Sequence, residues 1–343
     1  MYLISTHPKQ RIAIGDSFQI DIQSFFMPVL HARKVLMLVG KQSFQATEQS
    51  KQLTEMLASE DSTIVHTIVC EENPSEVELT NIIKNLPEHD CILAVGGGSV
   101  IDTAKMIKHN LGNGTPLYVI YTRFGSATIV TPFFIYDNHE FKIGELDQNT
   151  IPDFVYVSLE LMEVLSFRQR LIGVSDILAH ATESYLSTAG DASLKNRAQT
   201  LLEQLTSDMS TWPLSKLVEA DIEAGLIEQH CLVLLPHALG HYLTYTTNLP
   251  HGIASLVTLP TFVEFYINNG AMDRTLGTHV RKLAIYFATL YFSDTELVAL
   301  RNKLITELDT ALPLIARYMP FVFELSPVPI TLEGIKKILT QNI

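Results

Sequence analysis

Cysteine is scarce in this chain, and long apolar runs are missing. The three cysteines, Cys70, Cys91 and Cys231, are far apart and form no Cys-x-x-Cys pair. This argues against a disulfide framework and favours buried thiols in a reducing cytoplasm. No uninterrupted apolar run reaches about 18 residues, the length that a membrane helix needs. The first residues also lack the basic and apolar regions of a signal peptide, so we expect a cytoplasmic protein.

Positive charge is also in deficit. Lys and Arg number 24 against 37 Asp and Glu, which gives a net charge of −13 at pH 7. This balance argues against binding to nucleic acid or to an anionic membrane surface, and no basic motif supports either partner. Hydrophobic residues make up 47% of the 343 residues, so the chain can bury large cores and suits two domains better than one.

The first half of the chain alternates between short apolar runs and segments of helical spacing. Apolar, β-rich runs occupy 33–40, 62–69, 91–97 and 116–122, and helical segments occupy 46–60, 74–89 and 99–109. Near-continuous apolar strands that alternate with helices predict a parallel α/β sheet. We therefore predict an α/β nucleotide-binding domain over residues 1–162. From 163 to 343 the pattern has helical period almost throughout, which predicts an all-α domain.

A glycine-rich segment, VGGGS, lies between the strand at 91–97 and the following helix. Gly96, Gly97 and Gly98 would let the backbone approach a ligand, and the helix N-terminus would offer N–H groups to phosphate. Ser99 can add a hydroxyl donor or cap the helix. The alternative is a tight turn without a ligand, since GGGS is not the GxGxxG fingerprint. Asp102 either pairs with Lys105 on the helix surface or turns towards the active cleft.

The second half carries a candidate metal site. Asp176 and His180 are four residues apart, so they share one face of a helix, as do His237 and His241. His251 lies beyond a turn, TTNLPHG. One carboxylate with three imidazoles makes a plausible ligand set for Fe(II) or Zn(II). The spacing alone does not decide which of the histidines is the spare one.

These motifs resemble the iron-containing (group III) alcohol dehydrogenase family over nearly the whole chain. The family signature Gly-Gly-Gly-Ser-x-x-Asp-x-Ala-Lys reads GGGSVIDTAK at 96–105, and its His-Ala-x-x-His and Pro-His-Gly motifs match 237–241 and 250–252. The resemblance implies a dehydroquinate synthase-like fold and an Fe(II) site, with Zn(II) as a substitute. It assigns the metal ligands to Asp176, His180, His237 and His251. It makes His241 a non-ligand near the nicotinamide.

The resemblance also implies cofactor-binding residues outside the glycine segment. They are Asn73 in an Asn-Pro-Ser turn, Thr122, Thr128 and Thr131 in the segment YTRFGSATIVTPF, and Lys142. This segment departs from the family pattern, because Ile129 replaces a Glu, Ala127 replaces a Gly, and Arg123 and Phe124 are new. The run PHALGHYLT…PHGIASLVTLP is most similar to the phosphonoacetaldehyde reductase branch of the family. Many members form dimers or larger assemblies, so a homodimer is left open.

Cofactor preference is predicted from the end of the strand at 33–40. Enzymes that prefer NAD often place an acidic residue near this position, where it binds the ribose 2′-hydroxyl. The chain has Gly40 there, followed by Lys41, Gln42 and Ser43, which can bind a 2′-phosphate. We therefore predict that NADP(H) is favoured over NAD(H), against the alternative that Lys41 is only a solvated surface charge.

Together these features predict a metal-dependent, NAD(P)-linked alcohol dehydrogenase or aldehyde reductase that acts on a small molecule, with phosphonoacetaldehyde as one candidate. His241 is the expected proton relay. Arg123 and Arg274 are candidate anchors for an anionic substrate. Two alternatives are a lyase similar to dehydroquinate synthase, which releases its cofactor unchanged, and a non-catalytic relative that has kept the scaffold.

Overall fold

The fold divides the chain into two units. A computed structural model describes residues 1–4, 6, 10–31, 33–40, 48–59, 64–112 and 114–340. The first unit comprises Met1–His139 and Gly144–Leu165, and the second comprises Glu140–Ile143 and Ser166–Ile343. The short segment Glu140–Ile143 therefore groups with the second unit. The domain ranges predicted from the sequence, 1–162 and 163–343, place this segment in the first domain.

The first unit is built on a largely parallel sheet. Its strands are β1 (Tyr2–Ile4), β2 (Arg11–Gly15), β3 (Lys34–Gly40), β4 (Ile64–Cys70), β5 (Cys91–Gly96), β6 (Leu117–Tyr121) and β9 (Phe154–Ser158). Within the described residues they follow the order β1-β2-β9-β6-β5-β3-β4. Every pair is parallel except β1 with β2. The predicted parallel sheet is confirmed, with an antiparallel edge strand added. Two further strands, β7 (Phe133–Asp137) and β8 (Lys142–Leu146), pair with each other.

Helices connect these strands. They are α1 (Phe18–Asp21), α2 (Met27–Leu30), α3 (Glu48–Ser59), α4 (Glu76–Lys84), α5 (Gly98–Leu111) and α6 (Leu159–Glu163), and a π-helical turn, Ile22–Phe26, joins α1 to α2. Of these, α3, α4 and α5 lie in the segments for which the sequence pattern predicts helices. Ser75 caps α4 by accepting a hydrogen bond from the N–H of Glu78. Gly112 ends α5 in the left-handed conformation, at a φ of 60° that suits glycine.

One cluster of the core of the first unit lies where α1, α2 and α3 pack on the sheet. Phe26 is completely buried there, and its ring lies 5.2 Å from that of Phe154 and 6.4 Å from that of Tyr118, edge to face in both pairs. Burying one such side chain stabilises the fold by about 1.5–3 kcal/mol. β5 is buried along its whole length, as expected of a central parallel strand.

The second unit is helical in the part that the structure describes, apart from the start of β8. Its helices are α7 (Phe167–Leu186), α8 (Ala192–Asp208), α9 (Leu214–Cys231), α10 (Leu235–Thr247), α11 (His251–Leu256), α12 (Leu259–Asn268), α13 (Arg274–Tyr291), α14 (Asp294–Tyr318), α15 (Phe321–Glu324) and α16 (Leu332–Thr340). Ser166 and Gln169 form a capping box at the start of α7. The predicted helical half is confirmed.

Among the described residues, no single helix meets the length and hydropathy expected of a membrane span. Only α13 and α14 taken together pass such a test, and they are bent by 108° at the break between them.

Candidate active site

The glycine-rich segment lies where β5 meets α5. β5 ends at Gly96, and Gly97 is the N-cap of α5, with no side chain capping it in the described structure. A Cβ at Gly96 would lie 2.6 Å from Val100, and a Cβ at Gly98 would lie 2.9 Å from the side chain of Ser126. The turn therefore requires glycine. Its backbone N–H groups lie at the N-terminus of a helix, where a phosphate group can accept hydrogen bonds from them.

Other predicted cofactor residues follow neighbouring strands of the same sheet. Gly40 ends β3, Asn73 follows β4, and Thr122 follows β6 and donates its N–H to the carbonyl of Gly96 at 3.1 Å. The carboxyl ends of parallel strands meet at one edge of the sheet. From β3 the chain continues to β4 on one side and then to β5 on the other, and parallel sheets bind nucleotides at such a reversal. The predicted residues Lys41 and Ser43 lie outside the described residues.

The loop over residues 122–132 is tied to α5. Thr128 donates its hydroxyl to Asp102 at 2.9 Å, so Asp102 turns towards this loop. Lys105 is completely buried, and its ammonium donates to the carbonyls of Thr131 at 2.6 Å and Phe133 at 2.8 Å. Lys105 is therefore not the surface residue that we considered from the sequence, because its charge holds this loop against the helix.

The departures from the family pattern lie in the same loop. Ile129 is completely buried, and its carbonyl accepts a hydrogen bond from the side chain of Gln10 at 2.6 Å. The side chain of Arg123 passes 3.4 Å from where a Cβ at Gly97 would lie. An arginine therefore flanks the glycine turn in a position where the first unit would meet a phosphate. Arg274, the other candidate anion anchor, is exposed at the start of α13.

The candidate metal ligands lie on three helices of the second unit. Asp176 and His180 share one face of α7, and His237 lies in the first turn of α10. Asn248 ends α10 in the left-handed conformation, and His251 then begins α11. Of the four, His251 is the most exposed, at 21% of its side chain, and the other three are buried. The turn TTNLPHG thus returns the chain to the same cluster.

The four side chains converge. The Nε2 atoms of His237 and His251 are 2.7 Å apart, and Nε2 of His251 lies 4.0 Å from Oδ1 of Asp176. The rings of His180 and His237 stack with centroids 4.8 Å apart. Two overlapping groups have donor atoms that all lie within 4.8 Å of one another: Asp176 with His180 and His237, and His237 with His241 and His251.

The residues of this cluster fit a divalent cation. Oδ1 of Asp176 and Nδ1 of His237 and of His251 are buried without a hydrogen-bond partner in the described structure. Burial raises the pKa of Asp176 well above its usual range, and the nearby carboxylates of Asp221 and Glu228 raise it further. A bound cation would favour the carboxylate form again. One carboxylate and several imidazoles are ligands that Fe(II) and Zn(II) accept.

The histidines are held in the neutral form that binds metals. Burial lowers the pKa of His180 and His251 well below the usual value, and neighbouring histidines lower both further. Burial also lowers the pKa of His237 to about 3. Neutral imidazole keeps one lone pair for a ligand, whereas imidazolium has none.

His241 is as close to the cluster as the predicted ligands are. Its ring centroid lies 4.4 Å from that of His251 and 5.5 Å from that of His237. Its Nδ1 lies 3.1 Å from the carbonyl of Lys142, which can only accept, so Nδ1 carries the proton and Nε2 keeps its lone pair. Lys142, predicted as a cofactor residue, therefore contacts His241 within the second unit.

The segment Glu140–Ile143 is fixed by its own contacts in the second unit. Glu140 accepts hydrogen bonds from Arg317 at 2.9 Å and from the hydroxyl of Tyr318 at 2.6 Å. Phe141 stacks on Tyr318, with centroids 6.0 Å apart and planes 6° from parallel. These contacts, at the end of α14, explain why the segment groups with the helices and how it presents the Lys142 carbonyl to His241.

Glu183 is a buried neighbour of the cluster that the sequence analysis did not single out. It lies on α7 three residues after His180 and seven after Asp176, so it continues the same face. Its Oε1 is 3.6 Å from Nδ1 of His237. A carboxylate continuing the helical spacing of two candidate ligands was the available signal.

The chain is similar to known proteins of one family. Residues 16–158 match the family model described as iron-containing alcohol dehydrogenase. Alcohol dehydrogenase 4 of Saccharomyces cerevisiae is 26% identical over 282 residues, which cover 74% of this chain and 73% of the yeast protein. The NADPH-dependent butanol dehydrogenase of Clostridium saccharobutylicum is 28% identical over 210 residues, 52% of this chain and 53% of that protein.

Solved structures show the same fold. An iron-containing alcohol dehydrogenase from Thermotoga maritima has a TM-score of 0.78 at 20% identity, covering 97% of this chain and 98% of that one. NADH-dependent butanol dehydrogenase A from the same organism has a TM-score of 0.78 at 15% identity, covering 98% and 97%. The resemblance is therefore confirmed: residues 16–158 match the model of the iron-containing alcohol dehydrogenase family, and the fold is similar to that of solved iron-containing alcohol dehydrogenases over nearly the whole chain.

Proposed function

We propose that this protein is a metal-dependent, NAD(P)-linked alcohol dehydrogenase that also reduces small aldehydes. The convergence of Asp176, His180, His237 and His251 on three helices carries the proposal, because it gathers oxygen and nitrogen donors in a largely buried space. The glycine turn between β5 and α5 supports a nucleotide cofactor. Burying a carboxylate together with several imidazoles costs free energy unless the groups are paired, so the packing of the fold alone does not explain this cluster.

The chemistry is divided between the bound groups and the side chains of the chain. Bound Fe(II) or Zn(II) would supply Lewis acidity at the substrate oxygen, and the nicotinamide would carry the hydride. The four ligand side chains would hold the ion. His241 would accept or return the hydroxyl proton at Nε2, since its Nδ1 proton is already donated to the carbonyl of Lys142. Resemblance to the family favours Fe(II) as the native ion.

NADP(H) is the proposed cofactor. Gly40 ends β3 and offers no carboxylate to repel a 2′-phosphate. Among the relatives, the Clostridium saccharobutylicum enzyme is named as NADPH-dependent, and a Clostridium acetobutylicum one as NADH-dependent. The proposal therefore rests on the residue at position 40 and its neighbours in sequence. A higher catalytic efficiency with NADH than with NADPH would refute it.

The proposed substrate is a small aldehyde or its alcohol, and phosphonoacetaldehyde is the candidate that the motifs favour. The positive charge of Lys142 lowers the pKa of Asp176 and of His251, so a cation acts on the cluster. A cation beside the reacting centre would attract a substrate that carries a negative group. Uncharged aldehydes of similar size should therefore show a higher KM than phosphonoacetaldehyde.

The test is NADPH oxidation by anaerobically Fe(II)-loaded protein with a panel of small aldehydes that includes phosphonoacetaldehyde. We expect turnover with at least one aldehyde, and less turnover in His241→Ala at unchanged metal content. Full turnover in His241→Ala would refute the proton-relay role. Binding of NADPH and metal without any turnover would favour a lyase similar to dehydroquinate synthase, or a non-catalytic relative.

A further inference from the structure

We propose that Glu183 is a positioning residue: it caps α10 from α7 and holds the His237 ring with Nδ1 protonated and Nε2 turned to the metal ligands. This inference rests on the proposed metal site. It concerns a residue that does not itself belong to the four-ligand set.

The carboxylate of Glu183 replaces a missing helix cap. α10 begins after Leu234, whose apolar side chain cannot accept a hydrogen bond, and Pro236 in the first turn has no N–H. Oε2 of Glu183 accepts the N–H of Leu234. Burial raises the pKa of Glu183 well above its usual range, and the backbone N–H groups of Leu234 and His237 act to lower it again. Glu183 is only 1% exposed, so water does not compete for these bonds. The side chain therefore fixes the first turn of α10, which carries His237.

The same carboxylate faces the His237 ring. Oε1 lies 3.6 Å from Nδ1, and both atoms are buried without a hydrogen-bond partner among the described residues. On the opposite side of the ring, Nε2 lies 2.7 Å from Nε2 of His251. A carboxylate only accepts hydrogen bonds, so it stabilises the tautomer with a proton on Nδ1. That tautomer leaves the lone pair of Nε2 for the metal, and carboxylates behind ligating histidines commonly have this role.

A second contact, from the residue that follows α7, holds the segment that leads into α10. Ser187 donates its hydroxyl to the carbonyl of Cys231 at 2.5 Å. Leu232, between the two anchored positions, has a φ of 58°, a strained conformation for a residue with a side chain. Contacts from Ser187 on one side of Leu232 and from Glu183 on the other can maintain that strain. The helix that provides Asp176 and His180 thus also sets the position of His237.

Glu183→Gln is the variant that separates orientation of the ring from charge. A glutamine has one acceptor oxygen. If that oxygen keeps the bond from Leu234, the amide NH₂ faces Nδ1 of His237 and favours the wrong tautomer. If the amide is reversed, the cap of α10 is lost. Glu228→Gln is the matched control, because it removes a charge that also acts on Asp176 from the neighbouring helix α9.

The experiment measures Zn(II) affinity by chelator competition, together with ¹⁵N imidazole spectra of the Zn(II)-loaded full-length protein. Wild type should show the His237 proton on Nδ1. Glu183→Gln should bind Zn(II) about 10–100-fold more weakly, the usual cost of losing such a partner. Glu228→Gln should change the affinity by less than about threefold, since it leaves the ring untouched.

The outcomes distinguish this inference from the proposed function. If wild type binds no Zn(II) or Fe(II), both are refuted. If wild type binds metal and Glu183→Gln binds it equally well, or if Glu228→Gln loses as much affinity, only the role of Glu183 is refuted. Should Glu183→Gln fail to fold by circular dichroism, the wild-type spectrum decides: a His237 proton on Nε2, or on neither nitrogen, would overturn the inference.

Discussion

Replacing Gly252 with alanine tests how closely α11 must approach α7 at the metal site. Gly252 follows His251, and a Cβ there would lie 2.4 Å from the carbonyl oxygen of Ile172 and 3.0 Å from the backbone nitrogen of Asp176. Both contacts are with backbone of a long helix, which cannot give way as a side chain does. Since heavy atoms pack best at about 3.5–4.0 Å, α11 would have to move away from α7 by roughly 1 Å.

The expected effect is larger on metal binding than on stability. Overpacking costs about 1–3 kcal/mol, and exchanging glycine for alanine in a helix returns about 0.5–1 kcal/mol, so the free energy of unfolding should fall by roughly 0–2.5 kcal/mol. Metal sites tolerate displacements of only about 0.2 Å, so moving His251 relative to Asp176 by several times that distance should weaken binding at least tenfold, about 1.4 kcal/mol.

The assay compares Zn(II) affinity and urea unfolding for Gly252→Ala and wild type. Gly334→Ala on α16 is the matched control, because among the described residues its Cβ would meet only the side-chain oxygen of Thr331, at 3.2 Å. That control should keep the wild-type affinity. A Gly252→Ala protein that binds Zn(II) as tightly as wild type would show that the close approach of α11 to α7 does not set the ligand geometry.

Three further predictions concern buried groups and metal removal. Burial raises the pKa of Cys70 and Cys91 to about 12 and of Cys231 to about 11, so a thiol reagent at pH 8 should label none of them until urea unfolds the chain. Lys105→Met should destabilise the protein by about 1–3 kcal/mol for each carbonyl left without a donor, measured by urea unfolding, and should weaken NADPH binding; unchanged values of both would contradict the role of Lys105. Metal at 100 times its Kd should stabilise wild type by about 2.7 kcal/mol, and the gain should be smaller in His251→Ala; an equal gain would exclude His251 as a ligand.

Local patterns in the sequence were sufficient to predict the main elements. The apolar run that became β5 and the glycines after it predicted a strand, a turn and a helix, and the structure has them at Cys91–Gly96 and Gly98–Leu111. The spacing of Asp176 and His180 predicted a shared helix face, which α7 provides. Both depend on periodicity within a few residues, so the sequence contains the information directly.

Contacts between distant segments were harder to predict. The burial of Lys105 depends on two carbonyls of a loop 26 and 28 residues away, and the cap that Glu183 gives α10 comes from a helix 51 residues upstream of Leu234. No sequence motif marks the loop carbonyls as partners of Lys105, or Glu183 as the cap of α10. The short strand β1 pairs antiparallel with β2 over three residues, and a three-residue run has too little pattern to predict.

His237 and His241 differ in what the Nδ1 atom of each ring faces. His241 lies as near to His251 as His237 does, with ring centroids 4.4 and 4.5 Å away. The hydrogen bond of His241 to the Lys142 carbonyl and the contact of His237 with Glu183 differ, because one ring faces a backbone oxygen and the other a carboxylate. That difference supports His237 as the ligand and His241 as the relay.

The most direct test measures metal content and NADPH-dependent aldehyde turnover on the same samples, as Fe(II) is removed by a chelator and then restored. A site formed by Asp176, His180, His237 and His251 predicts that turnover falls in proportion to bound metal and returns with it. It also predicts that His251→Ala retains substoichiometric metal. Turnover that persists after complete metal removal would contradict a metal-dependent reductase, and stoichiometric metal in His251→Ala would contradict the ligand set.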